Sequence, residues 1–209
     1  MRGNILGAAI ALAAPFSARA VEPGLEIALR TGFALPFGNV AGDTSSALSD
    51  LFSGFVPLGA ELGWRSSPNL FTGMSGSYAL GVTKNCPSTS SCSGHDAAIG
   101  IEIRYHALPD ERIDPWFGIG AGYEWLSTSQ TVRGTTAIAN VEGVEFVHAE
   151  AGADVATPGN VRVGPFIRFS LGQYRRAESG SGGTTISGEI TPKALHQFLT
   201  LGVRMGFVL

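Results

Sequence analysis

The sequence predicts an all-β fold, an eight-stranded antiparallel up-and-down transmembrane β-barrel. Three observations carry this. Apolar and polar residues alternate with period two in eight separate segments, the segments are long enough to cross a bilayer, and the connections between them are alternately short and long.

The first segment, Leu25 to Phe37, places Leu25, Ile27, Leu29, Phe33 and Leu35 on one face and Glu26, Ala28, Arg30 and Gly32 on the other. Successive strand side chains point to opposite faces, so this is a strand with one apolar side. Similar patterns occupy roughly 55–65, 70–82, 95–107, 115–126, 144–155, 161–174 and 194–209. In the second, Val56, Leu58, Ala60, Leu62 and Trp64 oppose Glu61 and Arg65; in the fourth, Ile99, Ile101, Ile103 and Tyr105 oppose Glu102, Arg104 and His106. The seventh sets Val161, Val163, Ile167, Phe169 and Leu171 against Arg162 and Arg168. In the sixth, an outer face of Val147, Ala149, Ala151, Ala153 and Val155 leaves His148, Glu150 and Asp154 inward, with Phe146 a position where a bulge would shift the register.

Strands of soluble proteins average about five or six residues, whereas about 9–11 tilted residues cross a bilayer. The eight segments meet the second requirement. Connections 66–69, 108–114 and 156–160 are short and hold turn residues such as Pro158-Gly159-Asn160; connections 38–54, 83–94, 127–143 and 175–193 are long. The long ones are rich in Ser, Thr and Gly, as in Thr44-Ser45-Ser46 and Ser179-Gly180-Ser181-Gly182-Gly183, and are expected to be mobile loops. Short turns on one side and long loops on the other are the habit of outer-membrane barrels, whose long loops are extracellular and whose termini are periplasmic. Aromatic residues collect at the two membrane interfaces. Trp64, Tyr105 and Phe207 fall at one end of their strands with Phe117, and Tyr78, Tyr123 and Trp125 at the other with Phe37.

The first twenty residues differ from the rest. Arg2, the apolar run Ile5 to Phe16 and Ala18-Arg19-Ala20 form the charged, apolar and small-residue regions of a signal peptide, giving residues 1–20 as leader and 21–209 as barrel domain. Removing them takes away two arginines and no acid, which moves the net charge from -3 to -5 and disfavours nucleic acid as a partner. Export also places Cys86 and Cys92 where disulfides persist, and a short bridge closing one loop is expected rather than free thiols or half of a metal site.

The run Pro115-Trp116-Phe117-Gly118-Ile119-Gly120-Ala121-Gly122-Tyr123-Glu124-Trp125 and the closing Leu199-Thr200-Leu201-Gly202-Val203-Arg204-Met205-Gly206-Phe207-Val208-Leu209 resemble the small outer-membrane β-barrel superfamily that includes the OmpA transmembrane domain, OmpX and the Ail/Lom proteins. The resemblance spans the chain after residue 20. It implies a monomer in the outer membrane, contacting outer-membrane lipids and, during biogenesis, the barrel-assembly machinery. One departure is that the family's carboxy-terminal assembly signal ends in an aromatic residue, whereas here Leu209 is last and Phe207 is the aromatic. No peptidoglycan-binding domain is expected after the last strand, so the resemblance does not extend to the two-domain OmpA role.

An eight-stranded barrel is just wide enough to be filled by side chains. The inward charges are Glu26, Arg30, Glu61, Arg65, Glu102, Arg104, Glu124, Glu150, Asp154, Arg162, Arg168 and Arg204, mixed in sign, and they read as a structural network rather than an ion path. If the turn at 156–160 closes a hairpin, Asp154 falls opposite Arg162. His148 and His196, with Glu150, face inward, but no ligand spacing such as H-E-x-x-H occurs, so neither a metal nor another cofactor is expected. Ser93, His95 and Asp96 cluster near the end of the fourth strand. They keep open a lipid A or lipid-modifying enzyme beside the expected non-enzymatic structural or surface-interaction role, with a narrow channel as a third reading.

Overall fold

The computed structural model describes residues 23–42 and 47–209. The leader at 1–20 and the segment Thr44-Ser45-Ser46 lie outside the described residues. Nine strands and one short helix make up the rest: β1 (Gly24–Gly38), α1 (Leu48–Leu51), β2 (Phe52–Ser67), β3 (Leu70–Thr83), β4 (Ser90–His106), β5 (Ile113–Val132), β6 (Thr135–Ala156), β7 (Val161–Ser181), β8 (Thr184–Glu189) and β9 (His196–Val208).

Every pairing is antiparallel. Each of β1 to β7 pairs with its successor along the chain, and β9 closes the ring by pairing with both β7 and β1. The result is a closed eight-stranded barrel with β8 attached outside the ring as a second partner of the far end of β7. Closure removes the unpaired backbone edges that no lipid could satisfy. The outward face is apolar around the whole ring: Leu29, Leu58, Met74, Ile101, Ile119, Ile167 and Leu201 are all exposed. A continuous apolar girdle of this kind has no place in water and marks a lipid-facing surface. Trp64, Tyr78, Tyr105 and Trp125 project from it, while Tyr123 and Phe207 are half-buried. No helix among the described residues is long and apolar enough to cross a membrane.

The two ends of the barrel differ. At the terminal end, where β1 begins and β9 finishes, the connections are tight. At the hairpin end, the segments expected as mobile loops at 127–143 and 175–193 are largely strand. β5 and β6 continue their ladder up to Val132 and Thr135, joined through Arg133 and Gly134, both with positive φ of 49° and 84°. Likewise β7 and β8 meet at Gly182 and Gly183, with φ of 59° and 89°. Such two-residue turns match the twist of the flanking strands and need left-handed backbone, which glycine adopts freely. β5, β6 and β7 are 20, 22 and 21 residues long, about ten more than a bilayer crossing requires.

Two irregularities set which residues face inward. Register shifts in the β6–β7 ladder fall between Glu142 and Gly143 and between Glu145 and Val147. The second leaves Phe146 exposed as the extra residue and turns both Glu145 and His148 inward, although they differ in parity. The hairpin β6–β7 also pairs two residues away from the expected register: Arg162 lies opposite Ala156, so the expected pairing of Asp154 with Arg162 does not form.

Candidate functional site

The alternation of the strands gathers charged side chains in the lumen, and these divide into layers. Nearest the terminal end, Arg65 donates from Nε to Glu26 at 2.8 Å and lies 3.0 Å from His106 Nε2, while His106 Nδ1 stands 2.7 Å from Asp114. Arg162 lies here too, 3.5 Å from Asp114 and donating to the Pro109 carbonyl.

The next layer is centred on two guanidiniums. Arg104 reaches Glu61 at 2.7 Å, Glu102 at 2.5 Å, Glu26 at 3.4 Å and Glu150 at 3.5 Å, with the rings of Phe71 and Trp116 4.9 and 4.7 Å away. Arg204 pairs with Glu61 at 3.0 Å, with Asp154 at 2.7 Å and with Glu26. Asp154 therefore serves Arg204 and the Trp116 indole, which donates at 3.0 Å, instead of Arg162. Buried carboxylates and guanidiniums survive desolvation only when paired this closely.

Above them, Arg30 bridges Glu61, Glu102 and Glu150 at 3.0, 3.0 and 2.7 Å. Beside it Arg168 donates to Glu145 at 2.9 Å, and Glu145 contacts His148 Nδ1. Glycines make room for these groups. A Cβ on Gly118 would stand 2.9 Å from the Glu150 side chain, and one on Gly120 would enter the His148 ring. The alternating glycines of β5 thus face the bulkiest polar side chains of β6.

Beyond this layer lies a cavity of about 80 Å³ bordered by Arg30, Asp96, Glu124, Arg168 and Phe198. That volume has room for about two or three waters. His196 contacts Glu124 and stacks on Tyr174 with ring centroids 4.0 Å apart. The hairpin end is then shut by an apolar layer of Leu48, Phe52, Phe55, Leu126, Ile190 and Phe198. Every inward charge expected from the sequence lies in the lumen. All are buried except Arg168, which is partly exposed. Sequence reasoning missed Glu145, because period two places it on the outer face until the bulge at Phe146 is known, as well as Asp114 and Tyr174.

Of the three residues that kept catalysis open, Asp96 faces away from the other two. Ser93 is exposed and its hydroxyl meets that of Ser129 at 2.8 Å, His95 stacks outward on Tyr78 with centroids 5.3 Å apart, and Asp96 borders the internal cavity. Neighbouring residues of a strand face opposite ways, so His95 and Asp96 do not share a site. Cys86 and Cys92 form a disulfide with Cα atoms 5.8 Å apart.

Among solved structures, the chain is similar to a major outer membrane protein from Thermus thermophilus (TM-score 0.57, 12% identity, 88% of this chain and 99% of that one) and to the outer membrane protein OprG from Pseudomonas aeruginosa (0.53, 10%, 91% and 99%). The fold is that of the small outer-membrane β-barrels. Neisserial surface protein A matches it as well, at a TM-score of 0.51 and 14% identity over 87% of this chain and 96% of that one. No family model and no curated sequence matches the chain. At these identities the likeness carries the barrel fold alone, and leaves ligand and activity to the residues themselves.

Proposed function

We propose that the protein is a non-enzymatic component of the bacterial outer membrane, with the hairpin end extracellular and both termini periplasmic, and that it works through its surface-exposed hairpins. The observation that carries this is the double closure of the lumen. One layer is filled by Arg30, Arg104 and Arg204 with their carboxylates and another by Phe52, Phe55 and Phe198. A path so blocked gives a diffusing solute no way through, so interaction is left to the outside. There the hairpins β5–β6 and β7–β8 present exposed residues such as Thr136, Ile138, Thr185 and Ile186 on a rigid support. The girdle contacts outer-membrane lipids, the ladder of β9 is what the assembly machinery closes, and a single chain completes the ring.

Topology is tested by inserting an epitope between Gly182 and Gly183, where an added Cβ would meet nothing within 4 Å. Antibody is expected to bind intact cells, and N-terminal sequencing of the membrane-bound form to begin at Val21. Binding only after the outer membrane is permeabilised would overturn the orientation. Mass spectrometry of lipid A and phospholipids from deletion and complemented strains is expected to show no change. A complemented difference in acylation would overturn the non-enzymatic reading in favour of a lipid-modifying enzyme.

A further inference from the structure

We infer that the lumen contains a binding site for a divalent transition-metal ion of the zinc class, formed by His148, Glu102 and Glu150. A ring nitrogen of His148 and one carboxylate oxygen from each glutamate lie within 4.8 Å of one another, and all three residues are buried. His148 is 0% exposed, and its Nε2 has no hydrogen-bond partner among the described residues. Its other nitrogen, Nδ1, contacts Glu145 and lies 2.8 Å from Arg168 Nη2. In the tautomer whose Nδ1–H donates to Glu145, Arg168 bonds to that carboxylate and not to the ring, and the Nε2 lone pair is left free. This is the arrangement that supports histidine ligands in metal sites.

Charge points the same way. Among the described residues the lumen holds nine carboxylates (Glu26, Glu61, Asp96, Glu102, Asp114, Glu124, Glu145, Glu150 and Asp154) and six guanidiniums (Arg30, Arg65, Arg104, Arg162, Arg168 and Arg204). The surplus is three, and three buried histidines each contact one of these carboxylates, at Asp114, Glu145 and Glu124; with the histidines neutral, a divalent cation offsets most of the remaining negative charge. The neighbouring guanidiniums do not block the site, because a carboxylate carries about four lone-pair positions. The loosest is Glu150 Oε1, whose contact with Arg104 is 3.5 Å. One imidazole and two carboxylates suit zinc, whereas calcium and magnesium take oxygen ligands alone. Ligands of a tetrahedral zinc with bonds of about 2.1 Å stand about 3.4 Å apart, so a small side-chain movement completes the coordination. The nearby cavity is bordered by Arg30 and Glu145, which contact Glu150 and His148 respectively.

The test uses tag-free protein extracted in detergent, stripped with chelator and titrated with Zn²⁺. Bound metal is counted after desalting, and folding is checked by heat-dependent gel mobility. One zinc per chain is expected in the parent and in His95→Ala, none in His148→Ala, and an affinity lowered about 10- to 100-fold in Glu145→Gln. If His148→Ala does not fold, X-ray absorption of the zinc-loaded parent decides. A shell containing one imidazole nitrogen beside carboxylate oxygens supports the site, and an oxygen-only shell overturns it. A parent chain that retains no zinc, or a folded His148→Ala chain that binds like the parent, also overturns it.

Discussion

Arg104→Met tests whether the lumen layer holds the barrel together or merely fills it. The guanidinium is fully buried, touches Glu26, Glu61, Glu102 and Glu150, and lies between two aromatic rings. Methionine fills most of the volume and removes the charge, leaving Glu102 with Arg30 as its remaining partner at 3.0 Å. Removing one side of a buried ion pair costs about 3–5 kcal/mol, because the surviving charge stays desolvated. Arg104→Lys keeps the charge but loses the second nitrogen, so a loss nearer about 1.5–3 kcal/mol is expected, that of a hydrogen bond to a charged group. The double variant Arg104→Met with Glu102→Met should recover part of the loss, since apolar replacements of a whole pair are often tolerated. The assay is urea unfolding in lipid vesicles followed by tryptophan fluorescence and gel mobility, comparing midpoints at unchanged slope. If Arg104→Met unfolds within about 1 kcal/mol of the parent, the pairing energy assigned to this layer is wrong.

Ile101 is 66% exposed midway along β4, so Ile101→Arg should cost about 2–4 kcal/mol in bilayers; equal stability of parent and variant would mean that this face does not meet lipid. Gly120→Val should abolish the heat-modifiable barrel, because its Cβ would collide with the Ile101 carbonyl and the His148 ring. Gly134→Ala, in open space at φ +84°, should cost only about 1–2 kcal/mol from left-handed backbone. Maleimide should label Cys86 and Cys92 only after reduction, and the Cys86→Ser, Cys92→Ser double variant should assemble like the parent, because the ladder rather than the loop holds the ring.

Alternation made most of the barrel legible in the sequence, since a residue such as Ile103 or Arg104 has its face fixed by parity alone. Parity is blind to a slip of two residues, which keeps every face and changes every partner; this is how Asp154 came to be matched with Arg162 instead of Arg204. It fails outright at a bulge, and Glu145 and His148 share a face only because Phe146 is extra. The hairpin extensions escaped notice for another reason. Above the membrane both faces of a strand are wet, so Thr135–Asn140 and Thr184–Gly188 carry no apolar stripe and resemble loops in composition. Their turns did leave a signal, in Arg133-Gly134 and Gly182-Gly183, residue pairs suited to two-residue hairpins. The metal-like grouping was out of reach for spacing arguments, because Glu102 and His148 come from strands that are not neighbours.

Arg204 stands on the last strand, yet its partners Glu26, Glu61 and Asp154 belong to β1, β2 and β6. No partly built sheet can satisfy them all. While the ends of the chain are apart, these charges must remain hydrated, and a hydrated row of acids on one face resists entry into hydrocarbon. Joining β9 to β1 dries and pairs them in one step. The paired interior is thus a property of the closed ring and not of any single hairpin.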